Sequence, residues 1–101
     1  MHISLALPDD WSVHVYPLVD ERLDDTCTHD NMIRMALRVR DLLLTNWVIV
    51  ADELLEEQIQ DLLKESFADA WTPSQVDFEV EVCSDEDARE IGVWIEVNRR
   101  T

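Results

Sequence analysis

The sequence predicts a single α+β domain, residues 1–101, in which two helices pack on one face of an antiparallel sheet. Four segments alternate apolar and polar residues with the two-residue period of a half-buried strand, and two segments carry apolar residues at helical spacing. Their order along the chain is β-β-α-(β)-α-β-β, where the bracketed strand is the one element that the pattern leaves open. A chain of 101 residues with 47% hydrophobic residues has room for one core.

An N-terminal β-hairpin is predicted by residues 2–16. Apolar residues occupy alternate positions in two short runs, and Pro8, Asp9 and Asp10 separate these runs. Proline and aspartate at such a break favour a turn. Residues 18–28 follow as a polar, acidic segment, which we interpret as a loop.

The first helix is predicted from about residue 29 to residue 44. Thr28 is a suitable N-cap, and Asp30 places a negative charge in the first turn, where the helix dipole favours it. The apolar residues at helical spacing, which we expect to face the core, are Ile33, Ala36, Leu37, Val39, Leu43 and Leu44.

The second helix is predicted over residues 53–70, with Asp52 as its N-cap. Its expected core-facing stripe consists of Leu55, Ile59, Leu62, Leu63, Phe67 and Ala70.

Between the two helices, residues 47–50 fit either a short strand or the beginning of the second helix. Their β-branched composition favours a strand or an extended connection.

Two further strands are predicted near the C-terminal end. Residues 76–83 alternate with valine and phenylalanine on one face and Asp77, Glu79, Glu81 and Cys83 on the other. Residues 84–90 form an acidic connection. Residues 91–98 alternate again and place Trp94 on the outward, polar side.

The negative charge of the chain is concentrated in one part of the sequence. The formal net charge is −15, and residues 51–90 contain fourteen acidic residues but only two basic ones. A surface of this kind attracts basic partners and repels nucleic acid and anionic membranes. Direct binding to nucleic acid or to a membrane is therefore not expected. The hydrophobic content also excludes a disordered acidic tail.

The sequence gives no indication of a targeting segment or of a phosphate-binding loop. The first residues contain no basic leader and no long apolar run, so a cytoplasmic protein is expected. The single glycine, Gly92, excludes the glycine-rich loops that cradle phosphates.

Cys27 and Cys83 are expected to be free thiols in a reducing compartment. The sequence also allows a disulfide bond between them. The chain could be a monomer or a homodimer.

Residues 24–30 collect a thiol, an imidazole and several carboxylates, but neither a metal site nor an enzyme is expected. A zinc site requires about four ligands, and Cys27 with His29 supplies one pair. A cysteine nucleophile would also need a histidine held by a third group. We therefore expect no metal, no cofactor and no catalysis; a small enzyme that uses Cys27 and His29 is the least favoured alternative.

Two rows of carboxylates dominate the predicted surface. Glu53, Glu57 and Asp61 lie four residues apart on the second helix, although like charges at this spacing destabilise a helix by about 0.2–0.5 kcal/mol per pair. Asp77, Glu79 and Glu81 follow one strand face at intervals of about 6.8 Å. One strand of B-DNA carries a phosphate every 3.4 Å or so of helix axis, so two such rows side by side would approach its charge density.

A small, acidic, glycine-poor α+β chain with these two carboxylate rows resembles phage-encoded anti-CRISPR proteins and related DNA-mimic inhibitors. These proteins share size and acidity rather than a motif. The resemblance implies a non-catalytic inhibitor in the host cell cytoplasm that occupies the nucleic-acid site of a basic partner, such as a host CRISPR effector. The residues expected to bind the partner are Glu53, Glu57, Asp61, Asp77, Glu79, Glu81, Asp85, Glu86, Asp87 and, as an apolar anchor, Trp94.

Salt adaptation is the main alternative explanation of the acidity. The chain contains one lysine against seven arginines, together with a large excess of aspartate and glutamate. On this interpretation the charge maintains hydration and solubility, and the protein is a small structural or assembly domain that could dimerise through a sheet edge.

Overall fold

The computed structural model describes residues 2–20, 29–45, 52–68 and 76–99. In this part of the chain the strands are β1 (Ile3–Ala6), β2 (Ser12–Val19), β3 (Val76–Asp85) and β4 (Glu90–Arg99), and the helices are α1 (His29–Thr45) and α2 (Asp52–Ser66). A short 3₁₀ turn at Pro8–Asp10 joins β1 to β2. The α+β class is confirmed. Neither α1 nor α2 is long and apolar enough to cross a membrane.

The four strands form one mixed sheet in the order β1-β2-β4-β3. The hairpin pairs β1–β2 and β3–β4 are antiparallel as expected, whereas β2 and β4 run parallel, in register from Ser12 opposite Glu90 to Val19 opposite Val97. The prediction of a wholly antiparallel sheet is therefore wrong for the central pair. In the β3–β4 hairpin the more apolar strand, β4, lies inside the sheet next to β2, and the more charged strand, β3, lies at the edge, where charged residues are favoured.

Both helices pack on one face of this sheet, as predicted. α1 contacts β1 and β2, and α2 contacts β3. The fully buried side chains of the shared core are Val13, Val15, Met35, Ala36, Val39, Ile59, Leu63, Phe67, Val93, Ile95 and Val97. The predicted stripe of α2 is largely correct. That of α1 is correct for Ala36, Val39 and Leu43 but wrong for Ile33, Leu37 and Leu44, which are exposed, and Met35 is buried instead.

Four sequence predictions concern residues outside the described ranges. These are the cap at Thr28, the strand or helix at residues 47–50, the core position of Ala70 at the end of the second helix, and the part of the acidic loop beyond residue 20. Cys27 also lies outside, whereas Cys83 is an exposed free thiol. The second helix ends at Ser66, and Phe67 continues its hydrogen-bonding pattern by donating its N–H to the Leu63 carbonyl.

The edge of β3 is covered by polar side chains of α2. The Val82 N–H donates to Glu56 Oε1 at 2.9 Å, and Gln60 Nε2 donates to the Phe78 carbonyl at 2.6 Å. One turn earlier on the helix, Asp52 accepts a hydrogen bond from the Ser84 hydroxyl at 2.9 Å. Asp52, Glu56 and Gln60 lie four residues apart on one line of the helix, so this line runs along the strand edge. Glu56 and Gln60 thereby form hydrogen bonds with backbone groups that an edge strand would otherwise leave unpaired.

Replacement of Glu56 with alanine is expected to lower the free energy of unfolding by about 1 kcal/mol, because the partly buried Val82 N–H loses its charged acceptor. Glu57→Ala is the matched control, since it removes the same charge from the exposed neighbouring position. Its effect should stay within about 0.5 kcal/mol. Urea unfolding of both variants measures the difference. Equal stabilities would show that the contact between Glu56 and the strand edge contributes nothing.

Candidate functional site

The sheet face opposite the helices carries no described element of the chain, and we call it the open face. Alternate residues of each strand point to it, because their neighbours point into the core. Its residues on the four strands, together with His2 just before β1, are His2, Ser4, Ala6, Ser12, His14, Tyr16, Leu18, Asp77, Glu79, Glu81, Cys83, Gly92, Trp94, Glu96 and Asn98.

Three rings form a continuous stack across the open face. The ring centroids of His2 and Tyr16 are 4.6 Å apart with an interplanar angle of 11°, and those of Tyr16 and Trp94 are 5.0 Å apart with an angle of 10°. These distances match the spacing of about 4.8 Å between neighbouring strands. Each ring therefore stands above its own strand. We call this stack the aromatic ladder.

Gly92 allows the indole of Trp94 to lie against the sheet. A Cβ atom at position 92 would lie 2.7 Å from Cη2 and 2.8 Å from Cζ3 of Trp94, so any larger residue would displace the ring. Trp94 nevertheless keeps 42% of its surface exposed. The N-terminal hairpin covers one side of the indole through Tyr16 and leaves the remainder accessible. Trp94 is thus available as the apolar anchor that the sequence predicted.

Three carboxylates surround this indole. Glu81 lies directly opposite Trp94 on β3, and Glu79 lies directly opposite Glu96. Together with Val80 these residues line an open pocket with a volume of about 200 Å³. Like charges directly opposite each other destabilise a sheet, so the Glu79–Glu96 pair lowers the stability of the folded chain.

No arginine or lysine in the described part of the chain forms an ion pair with Glu79, Glu81 or Glu96. The nearest compensation is a long hydrogen bond of 3.5 Å from the Asn98 amide to Glu96. The negative charge beside Trp94 is therefore not neutralised within the described residues.

Three arginines of the described residues have contacts away from these carboxylates. Arg34 donates to the Ser66 carbonyl at 2.6 Å, at the end of α2. Arg40 lies 3.7 Å from Asp41, its neighbour in sequence. Arg89, in the β3–β4 turn, lies 3.7 Å from Asp10. The contact of Arg34 joins α1 to α2, and that of Arg89 joins the two hairpin turns to each other. None of the three contacts involves a carboxylate of the pocket.

The other seven predicted binding residues do not line this pocket. Glu53, Glu57 and Asp61 are exposed on α2, in the helix layer, and do not line the pocket. The carboxylate row of β3 lies on the opposite face of the sheet, so the expectation that the two rows lie side by side is wrong. Asp85, Glu86 and Asp87 are exposed at the β3–β4 turn. Asp85 also has a structural role there, because its Oδ1 accepts the N–H groups of Asp87 at 3.0 Å and Ala88 at 3.2 Å.

Asp77 lies on the same strand face as Glu79 and Glu81, one step further along β3 and opposite Asn98. Of the ten predicted residues, the structure brings Glu79, Glu81 and Trp94 around one pocket. His2, Tyr16 and Glu96 complete this site and were not predicted as part of it. The outward position of Glu96 was visible in the alternation, but the neighbourhood of Tyr16 and Trp94 depends on β2 pairing with β4.

A polar cluster lies beside the aromatic ladder on β1 and β2. His14 Nδ1 is 2.7 Å from the Ser4 hydroxyl and 2.9 Å from His2 Nε2, and His14 Nε2 is 3.2 Å from the Ser12 hydroxyl and 3.6 Å from Glu90 Oε1. These contacts connect β1, β2 and β4 and hold His2 in position for its stack on Tyr16. Within the described ranges, no three histidine, cysteine or acidic side chains are arranged to hold a metal ion.

Comparison of the sequence with protein-family models found no matching family, and searches of curated proteins and of solved structures found no match either.

Proposed function

We propose that this chain is a non-catalytic acidic protein that binds a basic, nucleic-acid-binding partner through its open face and thereby inhibits it, in the manner of the DNA-mimic inhibitors it resembles. The observation that supports this proposal is the group of Glu79, Glu81 and Glu96 beside the half-exposed Trp94. These carboxylates have no basic partner in the described part of the chain.

The spacing of these carboxylates suits a groove that normally holds phosphates. Glu79 and Glu81 lie about 6.8 Å apart along β3. Glu96 adds a third carboxylate about 5 Å away on the neighbouring strand. Phosphate-binding grooves are lined by lysine and arginine side chains, which can pair with carboxylates as they pair with phosphates. An exposed tryptophan at the centre of such a surface adds the apolar contact that is typical of binding hot spots.

The acidic residues of α2 and of the β3–β4 turn have a supporting role in this proposal. They lie outside the pocket, but they contribute to a net charge of −15. A strong net charge accelerates association with a basic partner over distances up to about a Debye length, 8 Å or so at physiological salt. Substitutions on α2 should therefore affect the rate of association less than substitutions in the pocket.

The test of this function is competition with DNA. The chain is immobilised and incubated with a nuclease-treated bacterial lysate, and the bound proteins are released with a short DNA duplex or, separately, with salt. Each released protein is then assayed for DNA binding as the chain is titrated. We expect at least one protein that the duplex displaces and that the chain inhibits stoichiometrically.

The matched variants for this test are Glu79→Gln/Glu81→Gln, on the open face, and Glu53→Gln/Glu57→Gln, which removes the same charge from α2. The first should lose inhibition and the second should keep most of it. Captured proteins that bind DNA and the chain simultaneously would contradict inhibition by mimicry. Equal capture by the two variants would contradict the open face as the binding surface.

Folding at low salt separates mimicry from salt adaptation. We expect the far-ultraviolet circular dichroism of the chain to stay unchanged when the salt concentration falls from about 0.15 M to 0.01 M, although the Debye length rises from about 8 to 30 Å. A salt-adapted domain would unfold on this dilution, because unscreened repulsion would exceed its stability. Loss of the signal, recovered by adding salt, would favour the alternative function.

A further inference from the structure

We propose that the open face recognises an arginine side chain of its partner, with the guanidinium stacked on Trp94 and hydrogen-bonded to the carboxylates of Glu79, Glu81 and Glu96. This proposal rests on the proposed function, because it names the chemistry by which the same face binds. It concerns the contact at the centre of that face.

The aromatic ladder leaves one face of the indole open. His2 stands at β1, Tyr16 on β2 and Trp94 on β4, and consecutive ring centroids are 4.6 and 5.0 Å apart. The next strand in this direction is β3, and its residue opposite Trp94 is Glu81, which has no ring. The face of the indole that Tyr16 does not cover therefore points towards β3. A planar group above β3 would continue the stack at the same spacing.

The pocket at this position has the size and charge for a guanidinium. Its volume of about 200 Å³ lies between Glu79 and Glu81 on β3 and Trp94 and Glu96 on β4. One wall is thus an aromatic face, and the others end in carboxylates that have no described basic partner. An aromatic face attracts a cation electrostatically, and an indole does so more strongly than the other rings.

Arginine fits this arrangement better than lysine does. The guanidinium is planar, so it can stack on the indole while its five N–H donors point outwards in its plane to carboxylates. The ammonium group of lysine can pair with the carboxylates but has no plane to stack. A second copy of this chain is a poorer occupant, because it would present the same carboxylates to this face.

The test compares two labelled peptides of equal length and charge, one with four arginines and one with four lysines, separated by glycine and serine. Their dissociation constants are measured by fluorescence anisotropy with the unaltered chain and with Trp94→Leu, Trp94→Phe and Glu79→Gln/Glu81→Gln. We expect the unaltered chain to bind the arginine peptide more tightly, by about fivefold, because a guanidinium can stack on the indole and hydrogen-bond to the carboxylates at the same time, whereas an ammonium group cannot stack. Trp94→Leu should abolish this preference, and Trp94→Phe should retain part of it.

The outcomes distinguish this proposal from the function on which it rests. Equal affinity of the unaltered chain for both peptides, or an unchanged preference in Trp94→Leu, overturns recognition of arginine. If Glu79→Gln/Glu81→Gln still binds both peptides more weakly than the unaltered chain does, the open face remains the binding surface. If that variant binds both peptides with unchanged affinity, both proposals fail. Self-association that sedimentation detects in the unaltered chain and that Trp94→Leu abolishes, with neither peptide bound by the unaltered chain, would identify a second copy as the occupant and would also overturn the proposal.

Discussion

Replacement of Phe67 with alanine is expected to lower the free energy of unfolding by about 3–5 kcal/mol, the usual cost of deleting a buried aromatic ring. Phe67 is fully buried and is the largest side chain of the core with no exposed surface. It follows the end of α2, and the guanidinium carbon of Arg34 on α1 lies 4.5 Å from its ring centroid. The substitution therefore leaves a cavity in the core and removes a contact between the helices.

A loss of this size is a large share of the roughly 5–15 kcal/mol by which small domains are stable. Urea unfolding followed by circular dichroism measures it as a lower midpoint with an unchanged slope. The control is Leu54→Ala, an apolar truncation at an exposed position of α2, which should change stability by less than about 0.5 kcal/mol. Similar midpoints for the two variants would show that Phe67 is not part of a tightly packed core.

The sequence predicted the facing of the strand residues well because their alternation is unambiguous. The end of β2 was predicted wrongly, since the strand continues through Pro17 to Val19, where a loop was expected. Val76, Phe78 and Val82 are buried while Asp77, Glu79 and Glu81 are exposed, and β4 follows the same pattern. A two-residue period specifies the face on which each side chain lies. This is why Trp94 could be placed on the same polar side as the carboxylates of β3 before any strand pairing was known.

Strand direction and neighbours could not be predicted in the same way. Alternation is identical in parallel and antiparallel pairs, so nothing in β2 or β4 indicated that they run parallel. The pairing of β2 with β4 is what brings Tyr16 next to Trp94 and continues the stack to His2. The carboxylate part of the site follows from local pattern, whereas the aromatic ladder depends on tertiary structure.

The core-facing stripe of α1 was predicted only in part for a related reason. Apolar residues surround much of this helix, so several stripes fit a helical period about equally well. The structure buries Met35 and exposes Ile33 and Leu37. Packing against the sheet decides between such stripes, and the sequence of the helix alone does not contain that information.

The acidic residues of α2 belong to two groups that helical spacing alone does not separate. Asp52 and Glu56 turn to the edge of β3 and accept hydrogen bonds from it, whereas Glu53 and Glu57 are exposed. The first group contributes to the fold. The second is available for long-range attraction of a partner, which makes it the appropriate control for charge changes on the open face.

Charge reversal of the pocket, Glu79→Lys/Glu81→Lys, is expected to slow association with a basic partner by about 10- to 100-fold at low salt, because it removes the local attraction that steers the encounter. An oligolysine peptide serves as the probe, and stopped-flow fluorescence gives the association rate constant. The difference from the unaltered chain should shrink as the salt concentration rises, since salt screens the charges.

The structure supplies two controls for this variant. Glu53→Lys/Glu57→Lys changes the net charge equally but acts in the helix layer, so its rate constant should fall much less. Lysine at position 79 would also face Glu96 across the sheet, which replaces a like-charge pair with an opposite pair worth about 0.2–1 kcal/mol. The pocket variant should therefore be at least as stable as the unaltered chain, and its slower association cannot be attributed to unfolding. Equal rate constants for the two reversals would mean that net charge alone, rather than the open face, attracts the partner.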